Sequence, residues 1–467
     1  MRRIWWPGVG PSVVHVPICC SCSHLLFMFP SVVHVHREAY AGKRIHTTCS
    51  IIANKSRSER IRLNSSHSKT EFYFLNAGHF LDHFFMLIFA TAAALKLSSE
   101  WGLSYAELIP YATPGFIAFG VCAIPSGWLA DKWSREGMMV VFFVGIGLSA
   151  VFAGMADNPL QIAISLTLVG IFASIYHPVG LAMVVEGKKD TGMLLAINGV
   201  YGNLGVASAA LLTGFFIDLS GWRSAFFLTG MLSVLIGLYY WSFVLKARRK
   251  VTDVSGASHQ STAGSPSLPG SHNLARIFAI ILLTTAIGGL IFQSTTFALP
   301  KVFEERLATM ATTATMHGWL AFVVFAVAAA GQLVVGKLID NHPIKIVFAV
   351  VAAMQALLFA LMMQLTGMPA FVVSIAFMLV VFGQIPINDV LLGRIVRSEW
   401  RSRAYALRYL VTFSVMASAV PLIAWIHSNW GFDRLFAVLA FAAVGILLAV
   451  LALPGSKHQS SGVRSAA

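Results

Sequence analysis

The chain has 467 residues, of which 57% are hydrophobic and 11% charged, with a mean hydropathy of +0.75 and a formal charge of +14. Soluble globular chains carry about 25% charged residues, so composition excludes a soluble enzyme, a disordered chain and a disulfide-stapled secreted domain. What remains is an all-α polytopic membrane protein. Residues 1–70 hold ten Lys/Arg against two Asp/Glu, whereas most Lys/Arg of residues 71–467 sit in short loops between apolar runs. That is the membrane pattern, and no basic fold motif points to nucleic acid.

Residues 1–70 form an atypical extension. Residues 13–35 are apolar but interrupted by His15, His24, His34, Pro and Ser, without the clean apolar core of a signal peptide. A disordered extension and a weak extra span both fit. The reading adopted is translated upstream sequence, with the true start near residues 63–70. Cys19, Cys20 and Cys22 lie near His15 and His24, but their spacing matches no tetrahedral metal template, so no metal site is expected.

From residue 71 the apolar runs are long enough to cross about 30 Å of hydrocarbon as helices. The predicted spans are 72–95, 107–130, 138–156, 160–185, 192–217 and 224–245, then 276–299, 319–339, 345–366, 370–391, 404–426 and 433–453. The expected organisation is a six-helix bundle over 71–245, a Ser/Gly/Pro-rich linker over 246–273, a second six-helix bundle over 274–454 and a tail over 455–467. With the start of span 1 inside, the inner segments hold 17 Lys/Arg and the outer loops five, Lys96, Arg223, Lys301, Arg306 and Arg434. Both termini are therefore expected in the cytoplasm of a multi-pass protein, in a bacterial inner membrane.

Two echoes relate the halves. Gly127-Trp128-Leu129-Ala130-Asp131-Lys132 after span 2 returns as Gly336-Lys337-Leu338-Ile339-Asp340 after span 8. Gly221-Trp222-Arg223 with Phe226 returns as Gly431-Phe432-Asp433 with Phe436. Nearly equal offsets at equivalent places indicate a structural repeat. In the first echo Gly lets a neighbouring helix approach, and Asp131, paired with Arg135 or Lys132, makes a latch that favours one arrangement of the halves.

On these residues the chain resembles the major facilitator superfamily over 71–454. The family's loop motif between helices 2 and 3 stands here as Gly-Trp-Leu-Ala-Asp-Lys-Trp-Ser-Arg, with Ser134 in place of its second Gly. The resemblance implies two bundles of six helices, a central cavity lined by helices 1, 4, 7 and 10, alternating access, and a monomer. Gly78-His79-x-x-Asp82, Tyr176-His177-Pro178 and the Gly/Asn-rich span 5 (Asn198-Gly199-x-x-Gly202-Asn203-x-x-Gly205) are similar to the fosmidomycin-resistance-like branch, although that branch usually has Asn-Asp at Leu81-Asp82.

Polar groups inside spans are costly and usually face the interior or a water path. His79, Asp82 and His83 fall on one face of span 1, and Asp82 is the one acid deep in the first half. His177 precedes Pro178 in span 4, where a kink is expected. These four are the expected proton-coupling residues; a static buried Asp–His contact is the alternative. Gln293, Gln384, Asn388, Asn198, Tyr201 and Arg408 are the expected cavity residues. Interhelical bonding competes for the amides, snorkelling to the membrane face for Arg408, and pairing with Arg394 or Arg397 for Asp389. Gly127, Asp131, Lys132, Arg135, Gly336 and Asp340 are the expected gating motif.

The expectation is a secondary transporter of a small organic solute in a lipid bilayer, driven by protons and most simply an exporter. It uses no cofactor and is not an enzyme, since neither a nucleotide loop nor a nucleophile–base pair is visible. Uptake of a small organic acid, or a non-transporting receptor or scaffold, are the rivals.

Overall fold

The structure is a computed structural model; it describes the backbone of residues 69–186, 191–252, 271–395 and 398–453. The extension, most of the linker, the tail and the side chains of Arg394 and Arg397 lie outside the described residues. Among the described residues there are helices and no strands. This is what a bilayer demands, because only a helix satisfies every backbone polar group within its own segment.

Among the described residues, eleven helices are long and apolar enough to cross a membrane. They are α1 (Lys69–Trp101), α2 (Tyr105–Lys132), α3 (Arg135–Gly154), α4 (Pro159–Val185), α5 (Gly192–Ser220), α6 (Trp222–Ala247), α7 (Arg276–Arg306), α8 (Ala314–Asn341), α9 (Ile344–Met362), α10 (Gly367–Gly393) and a 45-residue stretch, Leu407–Leu451. That last stretch breaks at Gly431, whose φ of 73° leaves the helical region. It therefore yields α11 (407–430) and α12 (432–451), twelve crossings in all. Gly221, between α5 and α6, has φ 93°. The two glycines of the second sequence echo thus make the same left-handed turn, which explains why Gly stands at both.

Helix packing repeats between the halves. In the first half α3 packs on α6 and α2 on α4; in the second, α9 packs on the α11–α12 stretch and α8 on α10. The halves meet along α5–α8 and α2–α11. Small residues permit that approach. A Cβ at Gly318 would lie 2.6 Å from Ala210 O, and one at Gly120 only 2.9 Å from Phe413 Cβ. Without a hydrophobic drive between helices in lipid, such close backbone contact carries the association.

The α5–α8 contact is tied by a carboxylate at one end. At the end bearing Gly221 and Gly431, Asp218 at the close of α5 accepts hydrogen bonds from Ala314 N (3.2 Å), Thr315 N (2.7 Å) and Thr315 Oγ1 (2.5 Å). A carboxylate at a helix N-terminus satisfies free N–H groups and complements the helix dipole. Along the same pair of helices the approach widens toward the other end: a Cβ at Gly199 would find Gln332 Oε1 only at 3.6 Å. The motif end carries Gly127–Arg135.

Candidate functional site

The candidate site grows from one face of α1. Asn76, His79 and His83 recur at helical spacing, and Asp82 flanks them. The His79 and His83 rings sit 5.0 Å apart, as an i, i+4 pair should. Helix α4 supplies the opposing wall. Near its centre it leaves α-geometry: residues Tyr176–Gly180 form a π-turn around Pro178. Pro has no N–H to continue the ladder, and such single π-turns are frequent at functional sites. The backbone therefore leaves α-geometry at the expected place, and the π-turn sets Tyr176 and His177 against α1.

The result is a compact polar cluster. The Tyr176 ring stacks on His79 at 4.8 Å, and His177 stands edge-on to His79 and His83 at 5.5 and 5.6 Å. Asp82 is fully buried, with Oδ2 3.4 Å from His177 Nε2. Neither Asp82 oxygen nor either His177 nitrogen has a hydrogen-bond partner among the described residues. Around this core an amide network is closed. Asn198 donates to Asn76 Oδ1 (2.9 Å), Tyr176 donates to Leu75 O (2.8 Å), and His79 Nδ1 donates to Asn198 O (2.8 Å). The acceptor is a carbonyl, so Nδ1 must carry the proton. Opposite α1, the His177 ring meets Tyr409 and Phe413 of α11 at 6.0 and 5.6 Å, and Phe119 of α2 at 5.9 Å. The cluster thus abuts the seam between the halves.

The corresponding helices of the second half hold amides instead. Gln384 of α10 accepts from Gln355 Nε2 of α9 (2.8 Å), and Asn388 accepts from Thr284 Oγ1 of α7 (3.1 Å). The Nε2 groups of Gln293 and Gln384 are buried without a hydrogen-bond partner among the described residues. Thr295 and Thr296 bond carbonyls of their own helix at 2.8 Å.

Several expectations change. Arg408 does not snorkel: its side chain is 8% exposed and forms an ion pair with Asp389. An inward-facing arginine in a bundle needs a counter-charge, and Asp389, one helix over, supplies it. Asp389 therefore has Arg408 as a partner; the expected partners Arg394 and Arg397 lie outside the described side chains. Asn198 belongs to the closed network of α1, α4 and α5 rather than to an open cavity wall, because helical phase turns it toward α1. Tyr201, on another face of α5, is 37% exposed.

The contacts of the expected gating motif are local. Arg135 bonds Asp131 (3.1 Å), four residues before it, and Glu186 at the end of α4 (3.2 Å). These bonds tie the α2–α3 loop to α4 inside the first half and do not cross to the second. Lys132 and Asp340 are exposed. Gly127 would bring a Cβ to 3.3 Å from Pro178 Cβ, whereas a Cβ at Gly336 meets nothing within 4 Å. Close helix approach explains Gly127 and does not explain Gly336. Sequence reasoning missed Asn76, Gln355 and Thr284 as network members, and Tyr176 as the stacking partner. The amides were visible as polar residues inside apolar runs.

Twelve helices in two related bundles among the described residues, with a buried polar cluster at the seam, define a polytopic α-helical membrane protein. A family model, "Major Facilitator Superfamily", matches residues 75–317 and 306–467. The chain belongs to that superfamily, a family of transporters and not of enzymes. It is 23% identical over 292 residues to a gallate transporter of Pseudomonas putida, covering 56% of this chain and 64% of the relative, just under two thirds of its length. It is 26% identical over 410 residues to a probable 4-methylmuconolactone transporter of Cupriavidus pinatubonensis, covering 83% and 91%. Its fold matches a bacterial homolog of the human lysosomal transporter Spinster, solved in an inward-facing, unoccupied conformation, with a TM-score of 0.62 at 14% identity, covering 83% of this chain and 94% of the other.

Proposed function

We propose that this protein moves a small organic acid across a membrane by alternating access, inward and coupled to protons. The carrying observation for the substrate class is the pair of relatives above, named as transporters of gallate and of 4-methylmuconolactone. We read the direction as inward, rather than the export expected from the fosmidomycin-like motifs, because these two relatives are named for organic acids and not for resistance to a drug. A carboxylate crossing a membrane needs hydrogen-bond donors in the path, and the second half offers the buried amide nitrogens of Gln293 and Gln384.

Proton coupling rests on Asp82. A fully buried carboxylate at a seam between moving halves is costly in its charged form, so a change in access that wets it is tied to its charge state. His177, 3.4 Å away and at the seam, is the group that would exchange with it.

The test is accumulation of radiolabelled gallate or 4-hydroxybenzoate by a bacterial host expressing the full chain, with and without an uncoupler. Uptake above the equilibrium ratio, abolished by the uncoupler, is the expected result. Resistance to toxic compounds such as fosmidomycin without acid uptake would replace this reading with export. Absence of both from well-inserted protein would favour a receptor.

A further inference from the structure

The three histidines of the cluster come from two helices and meet nowhere in the sequence. His79 and His83 are on α1, His177 is on α4, and one ring nitrogen of each lies within 4.8 Å of the other two. Asp82, fully buried, brings a carboxylate oxygen to 3.4 Å from His177 Nε2. Three imidazoles and a carboxylate are a borderline-soft donor set, suited to Zn2+, Co2+ or Ni2+ and unsuited to Mg2+ or Ca2+.

Three further features point the same way. First, the outer contact is in place. His79 Nδ1 donates to the backbone carbonyl of Asn198, so the neutral ring keeps its lone pair on Nε2. Metal-ligating histidines typically donate their other N–H in just this manner, which fixes tautomer and ring orientation. Second, the lone pair is not blocked by α5. A Cβ at Gly202 would lie 2.7, 2.8 and 2.8 Å from Nε2, Cδ2 and Cε1, so the helix rests on the ring's face and not across its edge. Third, two of the donor groups make no hydrogen bond. Both His177 nitrogens and both Asp82 oxygens are buried with no hydrogen-bond partner among the described residues. Orphaned buried polar atoms are rare and call for an explanation, an ion among them.

We infer that His79, His83 and His177 form a binding site for one divalent transition-metal ion at the α1–α4 contact, with Asp82, which here touches only His177, drawn in as fourth ligand when the ion binds. Tetrahedral coordination at about 2.1 Å places ligand nitrogens about 3.4 Å apart, so the rings must close by up to about 1.5 Å. That closure must come from side-chain rotation on both helices, since His79 and His83 share α1 and only His177 is on α4. This site goes beyond the transport reading: it can hold whether or not the solute is an organic acid, and whether or not Asp82 couples protons.

The test is a Co2+ titration of the purified full chain in detergent, read by visible d–d absorption. The full chain also carries histidines and cysteines in residues 1–70. The reading is therefore the difference between wild type and the triple variant His79→Gln/His83→Gln/His177→Gln, each confirmed monodisperse. One equivalent of intense, tetrahedral-type absorption present in wild type and missing from the triple variant is expected. His83→Gln alone, the mildest change, should weaken that equivalent by about tenfold or more, while His317→Gln on α8 leaves it intact. Asp82→Asn should keep the bound ion but alter its spectrum. Equal Co2+ uptake by wild type and triple variant, or a wild-type spectrum of weak octahedral type only, overturns the site. Transport of the acid with no Co2+ difference would remove the metal site and leave the transport reading standing.

Discussion

The two six-helix halves share a plan and differ in chemistry, most clearly at the turn end. In the first half Arg223, opening α6, bonds Glu100 (3.0 Å) at the end of α1, Asp157 (2.9 Å) and the carbonyl of Ala156 (3.0 Å) beyond α3. In the second half the signs are exchanged. Asp433, opening α12, accepts from Arg306 (2.6 Å) at the end of α7 and from Gln364 N (3.0 Å), and Arg306 donates to the carbonyl of Met362 (2.5 Å). The same three helices are clamped, and in both cases an arginine satisfies a carbonyl at the end of α3 or α9. The repeat preserves where a bond is made, while which side chain carries which charge is free to swap. The same divergence separates the ionisable α1–α4 cluster from the amides of α7 and α10.

The largest expected effect breaks the comparison at the polar clusters. Asp82→Asn should bring accumulation of the labelled acid down to the equilibrium ratio, while Gln384→Leu in the second half should raise KM and leave coupling to the gradient intact. Coupled accumulation by the Asp82 variant would remove Asp82 from the proton path.

The next effects concern packing. Gly318→Ala pushes a Cβ to 2.6 Å from Ala210 O across the seam and should cost about 1–3 kcal/mol, seen as a lowered melting temperature in detergent. Gly336→Ala, in the motif of the same helix, meets nothing within 4 Å and should be neutral or stabilising by up to about 1 kcal/mol. Equal losses from both would show that the seam is not as tight as described.

The clamps give a smaller contrast. Arg306 is 8% exposed and Arg223 38%. Arg306→Ala removes a buried charged donor from the Met362 carbonyl and from Asp433, leaving them the backbone N–H groups of Leu365 (3.4 Å) and Gln364 (3.0 Å), so a cost of about 1–3 kcal/mol is expected. Arg223→Ala, among exposed partners, should cost about 1 kcal/mol or less. Thermal melts of the two variants side by side test that order. Smallest of all, Asp218→Ala removes the acceptor for the first N–H groups of α8, leaving the Thr313 cap in place, and should cost about 1 kcal/mol. Its more telling readout is faster labelling of a cysteine placed at Ala210, since the seam at that end loses its one described carboxylate tie.

Much of the fold was legible because hydropathy acts locally. Each span must cover the same hydrocarbon thickness, so the runs of apolar residues marked the helices with small shifts at their ends. The α1 helix runs on to Trp101 through a π-turn at Ala93–Leu97, which composition does not encode. Gly221 and Gly431 were legible as equivalent residues, though their positive φ was not. Within the candidate site, His79, Asp82 and His83 were legible together, because i, i+3 and i+4 fix a common face. His177 was visible only as a polar residue before Pro178. Its contact with Asp82 depends on how the π-turn rotates α4 against α1. Arg408 shows the opposite failure: local sequence favoured the membrane face, and a counter-charge 19 residues away decided otherwise.

By itself, then, the sequence determined a twelve-span membrane protein with two related halves, since periodic apolar length and repeated motifs are properties of the chain alone. Only the tertiary structure decided which polar residues close on each other: that Asn198 seals α1 to α4, that Arg135 ties its own half, that Arg408 is neutralised by Asp389, and that a ring nitrogen of each of three histidines lies within 4.8 Å of the others. The physical reason is that spacing along a helix fixes a side chain's azimuth on its own helix. Meeting a partner on another helix also requires crossing angle, depth and backbone irregularity, which arise only when the helices pack.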